Sequence, residues 1–212
     1  MSGLTIWHYF FKLHPLKMRA GWKVKENHLY QKPIRENRQM LLILENGAEN
    51  KIVQVENAGD LRYDIRIFNI EQEPVGGMID IPHDQLVERL EKVIWKEEGG
   101  SGGPRNLLRL RVPSGWTVSH HALTDANPGE LAPDSEVWQS DFKRDLLQLQ
   151  HEEDRLLLDV EWYPESDPAG HYAVKLIKNG DWSRPLEDML CIHPKELAYE
   201  LDSVLKKAGE RS

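Results

Sequence analysis

The residue types best suited to chemistry in this chain are carboxylates that occur close together. Glu152, Glu153 and Asp154 are consecutive, Asp159 and Glu161 are two apart, and so are Glu165 and Asp167. Alternate residues of a strand share a face, so Asp159 and Glu161 have the spacing for a general acid and base. Glu152 to Asp154 fall between two apolar runs, where a hairpin turn is expected and solvated charge is the ordinary role. Nine histidines invite a metal reading. His120 and His121 are adjacent and face opposite sides of a strand. The others (His8, His14, His28, His83, His151, His171 and His193) are scattered, with no His-x-x-x-His and no Cys pair. No metal and no cofactor are expected. No dinucleotide or phosphate-loop pattern occurs, and Ser101, Ser114, Ser119, Ser135 and Ser140 lack a nucleophile-elbow context. The single Cys191 sits in the apolar run Met189-Leu190-Cys191-Ile192, the setting of a buried structural thiol. The expectation is a protein that is not an enzyme.

Charge and aromatic residues point towards binding instead. The net charge is -8, from 27 Lys and Arg against 35 Asp and Glu. Residues 125–167 hold 13 acids and three bases. That density argues against nucleic acid, whose recognition rests on Lys and Arg at phosphates, and suits a basic protein partner. A solubilising surface is the plainer reading of the same run. Trp116, Trp138, Trp162, Tyr163, Tyr172 and Trp182 lie in the second half of the chain, several of them next to acids. Aromatics beside carboxylates make good anchors at protein interfaces. The expected contact set is Glu152, Glu153, Asp154, Glu161, Trp162, Tyr163, Glu165, Asp167 and Trp182.

The elements that would position these residues come in two series. Gly21-Trp22-Lys23-Val24 returns as Gly115-Trp116-Thr117-Val118. Leu41 to Leu44 answers to Leu146 to Leu149, Ile52 to Glu56 to Leu157 to Glu161, and Tyr63 to Phe68 to Tyr172 to Ile177. The stripe Leu86, Leu90, Val93 and Ile94 answers to Leu197, Leu201, Val204 and Leu205. Both stripes follow helical spacing, which predicts helices over 83–96 and 194–207, the second opening on Pro194. Alternation predicts strands at Thr5 to Leu13, Trp22 to Tyr30, Gln39 to Glu45, Lys51 to Glu56, Leu61 to Ile70, Arg105 to Val112, Gly115 to Leu123, Leu146 to Leu149, Arg155 to Trp162 and His171 to Lys178. Lys32 to Asn37 and Glu71 to Gly77 are expected to be loops, and Trp138 to Lys143 a helical turn. The resulting fold class is α+β: two tandem repeats, each an antiparallel sheet of about 4–5 strands with one C-terminal helix packed on one face. The domains are 1–98, a Gly-rich linker at 99–104, and 105–212. Trp162, Tyr163 and Trp182 have no aromatic counterpart in the first series, where Asn57 aligns with Trp162, so they are expected to be dispensable for the fold and available to a partner.

Apolar runs are too short to span a membrane, Met1 to Phe11 does not read as a secretory signal, and a lone Cys suits a reducing compartment. The expected location is the cytoplasm.

From Gly115 through Phe142-Lys143-Arg144-Asp145-Leu146-Leu147-Gln148-Leu149 and Asp159 to Tyr172, the chain resembles small bacterial immunity proteins of polymorphic-toxin systems. The most specific part is the turn Trp162-Tyr163-Pro164-Glu165, followed by Asp167-Pro168-Ala169-Gly170. The resemblance implies a cytoplasmic protein that binds and neutralises a toxin domain. Two other readings stay open: a small-ligand-binding protein or hydrolase using the Asp159–Glu161 pair, and a structural module whose two units pack as a pseudo-dimer.

Overall fold

The computed structural model describes residues 12–31, 39–95 and 106–210. The strand expected at Thr5 to Leu13, the loop at Lys32 to Asn37 and the Gly-rich stretch fall wholly or largely outside the described residues. In chain order the elements are β1 (Lys23–Asn27), β2 (Met40–Asn46), β3 (Lys51–Gly59), β4 (Arg62–Phe68), β5 (Pro74–Pro82), α1 (His83–Trp95), β6 (Trp116–His121), α2 (Val137–Asp141), β7 (Leu147–His151), β8 (Leu156–Tyr163), β9 (His171–Lys178), β10 (Glu187–Cys191) and α3 (Pro194–Glu210).

The strands belong to one sheet, in the order β10-β9-β8-β7-β6-β1-β2-β3-β4-β5. This overturns the expectation of two separate sheets of four or five strands. Side-chain alternation marks a strand, but sheet continuity is decided by backbone N–H and C=O groups, which are the same in every sequence. Periodicity therefore cannot say which strand lacks a neighbour. The described residues nevertheless divide into two compact units. The first lies within Met1–Lys17, Gly21–Gly103 and Arg109–Gly115, and the second within Met18–Ala20, Pro104–Leu108 and Trp116–Ser212.

In the first unit, β2 and β4 alternate, burying Leu42, Leu44, Tyr63 and Ile65, while β3 buries Val53 and Val55 with Ile52 beside them. Helix α1 buries Leu86, Leu90 and Ile94, but the fourth buried position is Glu91, not Val93. A buried carboxylate is costly unless paired and hydrogen-bonded. Glu91 accepts from Arg109 Nε at 2.7 Å, Arg109 Nη2 at 2.9 Å and the Lys17 backbone N–H at 2.9 Å. Residues on either side of the helix in sequence are thus fixed to it. The C-terminal carbonyls of α1, which have no partner within the helix, are also met. Lys51 Nζ donates to Val93 O at 2.8 Å, and the buried Trp22 donates through Nε1 to Ile94 O at 3.3 Å. Cationic Lys51 also suits the negative end of the helix dipole. Gly21 and Gly115, each preceding a buried Trp, have φ of 92° and 89°, the left-handed region that favours glycine.

Two sequence expectations fail for identifiable reasons. Arg105 to Val112 is not a strand where described: it makes isolated bridges, Leu107 to Thr124 and Leu110 to Leu16, because its backbone changes partner within three residues. Glu71 to Gly77 is not all loop, since β5 begins at Pro74 and pairs with β4 as an edge strand. Pro and Gly lower strand propensity yet are tolerated at a sheet edge.

In the second unit, the core face carries Trp116, Val118, Leu147, Leu149, Leu158, Val160, Trp162, Tyr172, Val174 and Leu176, all buried. Against it lies the α3 stripe of Leu197, Leu201, Val204 and Leu205, joined by Ala208. His121 donates from Nδ1 to the Met18 carbonyl at 2.7 Å, and burial holds its pKa down at about 4, so it stays neutral near pH 7.

Arg109→Ala leaves the Glu91 carboxylate buried without its guanidinium and is expected to destabilise the chain by about 3 kcal/mol. Adding Glu91→Gln in that background removes the stranded charge and recovers part of the loss. Urea unfolding of both single variants and the double variant checks this. An undiminished cost in the double variant would contradict the pairing.

Candidate protein-binding surface

Trp162, one of three aromatics expected to meet a partner, anchors one end of the second unit. It lies near the end of β8 and is 0% exposed. Its ring stacks within a cluster: centroids lie 4.7 Å from Phe142, 4.8 Å from Tyr172 and 5.9 Å from Trp138. A buried indole N–H needs an acceptor, and Trp162 Nε1 donates to the Asp167 carbonyl at 2.9 Å. A methyl group at Gly170 would collide with that indole, so glycine is required there. Trp162 is therefore a core residue and is not available to a partner, which corrects its assignment as a contact. Its lack of a counterpart in the first half reflects the local cluster with α2, not freedom from packing.

The same cluster organises two connections. The Trp162 backbone N–H donates to Lys143 O at 2.8 Å and the Ser166 backbone N–H to Phe142 O at 2.8 Å. Asp167 closes its own turn, with its carboxylate accepting from Ala169 N at 2.8 Å and its carbonyl from Gly170 N at 2.9 Å. The Tyr163–Pro164 peptide is cis. The long β6–β7 connection and the β8–β9 turn are thus held together at one end of the sheet portion of this unit. Between them, residues 122–146 and 164–170 carry eight acids and two bases. Asp125, Glu130, Asp134, Glu136, Asp145 and Glu165 are exposed, while Asp167 is half-buried. Tyr163 is 49% exposed beside them. Glu165 meets Lys143 at 3.2 Å. The acids of the β6–β7 connection lie outside the expected contact set. The acid density of 125–167 was the signal that could have found them.

The other expected contacts lie elsewhere. Glu152 and Glu153 are exposed in the β7–β8 turn, and Asp154 is half-buried with Oδ2 3.0 Å from His151 Nδ1. Trp182 is 52% exposed in the β9–β10 connection. These two segments adjoin through Asn179 N to Arg155 O at 2.9 Å. They sit at the opposite end of β8 from Tyr163, Glu165 and Asp167. Eight strand residues span about 25 Å, so the expected set does not form one site. Glu161 lies between the two ends, half-buried, 4.0 Å from Lys175 Nζ.

Asp159 and Glu161 do share a face of β8, and their chemistry can be weighed directly. Asp159 is 8% exposed and accepts from Gln148 Nε2 at 2.9 Å. Burial raises its pKa, the Gln148 hydrogen bond opposes that rise, and Glu161 adds to it. Asp159 and Glu161 thus already have Gln148 and Lys175 beside them on the sheet. Cys191 is buried, and burial pushes its thiol up to about 12, far from a thiolate at neutral pH. Among the described residues no group of three or more His, Cys, Asp or Glu is placed to hold a metal ion. Nor is any described helix long and apolar enough to cross a membrane.

Comparison with protein-family models, with curated proteins and with solved structures returns no match.

Trp162→Ala is expected to cost about 3–5 kcal/mol of stability, and Gly170→Ala about 1–3 kcal/mol through the forced methyl–indole contact. Chemical denaturation with near-ultraviolet circular dichroism checks both. A wild-type unfolding curve for Trp162→Ala would show that the indole is not part of the core.

Proposed function

We propose that this chain is a non-enzymatic protein-binding module that engages a basic protein partner through the acidic end of its second unit. The observation that carries the reading is the concentration of eight acids against two bases on two connections pinned by the Trp162 cluster. A surface of this kind speeds encounter with a positively charged partner. Its pinned connections also limit the ordering entropy lost on binding. Tyr163 supplies an exposed aromatic anchor at its edge. The resemblance of residues 115–172 to immunity proteins supports a toxin domain as that partner. A basic nuclease toxin fits best, since carboxylates can occupy the place of nucleic-acid phosphates. Cytoplasmic location belongs to the same proposal. The turn that carries the resemblance, Trp162 to Gly170, is the one that shapes this end.

Affinity capture with the tagged full-length chain in its native cells, at low and moderate salt, tests the reading. The expected result is a basic protein whose toxicity this chain abolishes. Reversing Asp134 and Glu136 to Lys should then weaken binding about tenfold at low salt and flatten its salt dependence. Reversing Glu152 and Glu153 at the far end should change affinity much less. A captured partner whose binding ignores Asp134 and Glu136 would overturn the site assignment.

A further inference from the structure

The described sheet has two terminal strands, and they are built differently. An edge strand presents unpaired N–H and C=O groups, and proteins blunt such edges with Pro, bulges and local distortion. Strand β5 carries these devices. It begins and ends on Pro74 and Pro82, Asp80 has a φ of 56°, and its register against β4 shifts twice. Strand β10 has no Pro, no bulge and no positive φ, and is protected only by its short length and its two acids. It runs from Glu187 against Leu176 to Cys191 against Tyr172 in five consecutive pairs with no shift. Its two faces also differ. Cys191 is buried, and Glu187 meets Lys207 of α3 at 3.3 Å. On the opposite face Asp188 is exposed and Leu190 is 63% exposed. Leu186 just before the strand is 38% exposed, and Ile192 just after it is 50% exposed.

We infer that β10 is a docking edge for an extended segment of a basic partner protein, which adds to the sheet as a further strand. Main-chain hydrogen bonds would supply affinity, and alternate side chains specificity. Asp188 calls for Lys or Arg opposite it, and Leu190 for an apolar residue two positions away on the same face. Charge complementarity selects this occupant: Asp188 stands on the open face, and residues 104–212 carry 20 acids against 13 bases. The edge also leads into the acidic end, because a methyl at Gly129 in the β6–β7 connection would lie 3.8 Å from His193 Cε1, two residues beyond β10. The inference deepens the protein-binding reading and rests on it for the class of partner, but it concerns a different set of residues.

The test uses the full chain and a fluorescein-labelled heptapeptide in which Val, Lys and Val alternate with Thr. A matching peptide with Glu in place of Lys is the control. Fluorescence anisotropy should show the Lys peptide binding at least about fivefold more tightly than the Glu peptide. Asp188→Lys should invert that preference, and Leu190→Ser should weaken both. Both substituted side chains are exposed, and circular dichroism verifies the fold. Amide exchange at 187–191 should slow on binding. No binding, or equal binding of the two peptides, would overturn the inference. So would self-association in sedimentation that Leu190→Lys abolishes, since the occupant would then be a second copy. Asp134→Lys separates the two proposals: it should leave the peptide preference intact even where it weakens the captured partner.

Discussion

A buried indole must place its N–H on an acceptor, and in Trp162 that requirement shapes one end of the second unit. The acceptor is the Asp167 carbonyl, five residues further on, so the chain must turn back over the ring. Gly170 allows the close approach, and the backbone of Phe142 and Lys143 accepts from the far side of the turn. Phe142, Trp138 and Tyr172 fill the space around the ring. The exposed acids next to Trp138, Phe142 and the 164–170 turn therefore hang on a scaffold fixed by apolar contact and a few main-chain hydrogen bonds. A charged surface on such a scaffold is preorganised, whereas the same charges on a loose loop would lose entropy on binding.

Glu91 imposes a comparable constraint on the first unit. Its carboxylate is buried on a helix face that would otherwise be apolar, so it needs the Arg109 fork and the Lys17 N–H. Two segments 92 residues apart in sequence are thereby assigned to one helix. Polar groups placed inside each unit, more than the apolar stripes around them, decide which distant pieces of chain belong together. Apolar burial stabilises without direction, while a buried carboxylate or indole N–H accepts few geometries.

How much of this was legible in the sequence follows from the same distinction. His171 to Lys178 is read at its observed bounds, and α1 and α3 begin where their stripes and Pro194 predict, because hydrophobic periodicity is local information. The ten-strand continuity was not legible, because it rests on backbone pairing. Strand β5 was hidden by Pro74 and two glycines, and β10 by its length of five residues. The candidate site was half legible. Tyr163 and Glu165 lie at the end of β8 and in the β8–β9 turn, where the sequence predicts a connection, and the acid density of 125–167 is visible as composition. Trp162 is buried although it has no counterpart in the first half, because lacking a counterpart does not free a residue from the core. Its partners in α2 arise from a connection that the first half does not share. Glu152 and Trp182 were grouped with Tyr163 by closeness in sequence, but an antiparallel strand carries its two ends far apart.

Binding at the acidic end of the second unit is open to hydrogen exchange of the full chain, alone and with its captured partner. The prediction is slowed exchange across 125–145 and 163–170, with the 152–155 turn unchanged. Protection confined to the first unit or to the 152–155 turn, with 125–145 and 163–170 exchanging as in the free chain, would contradict it.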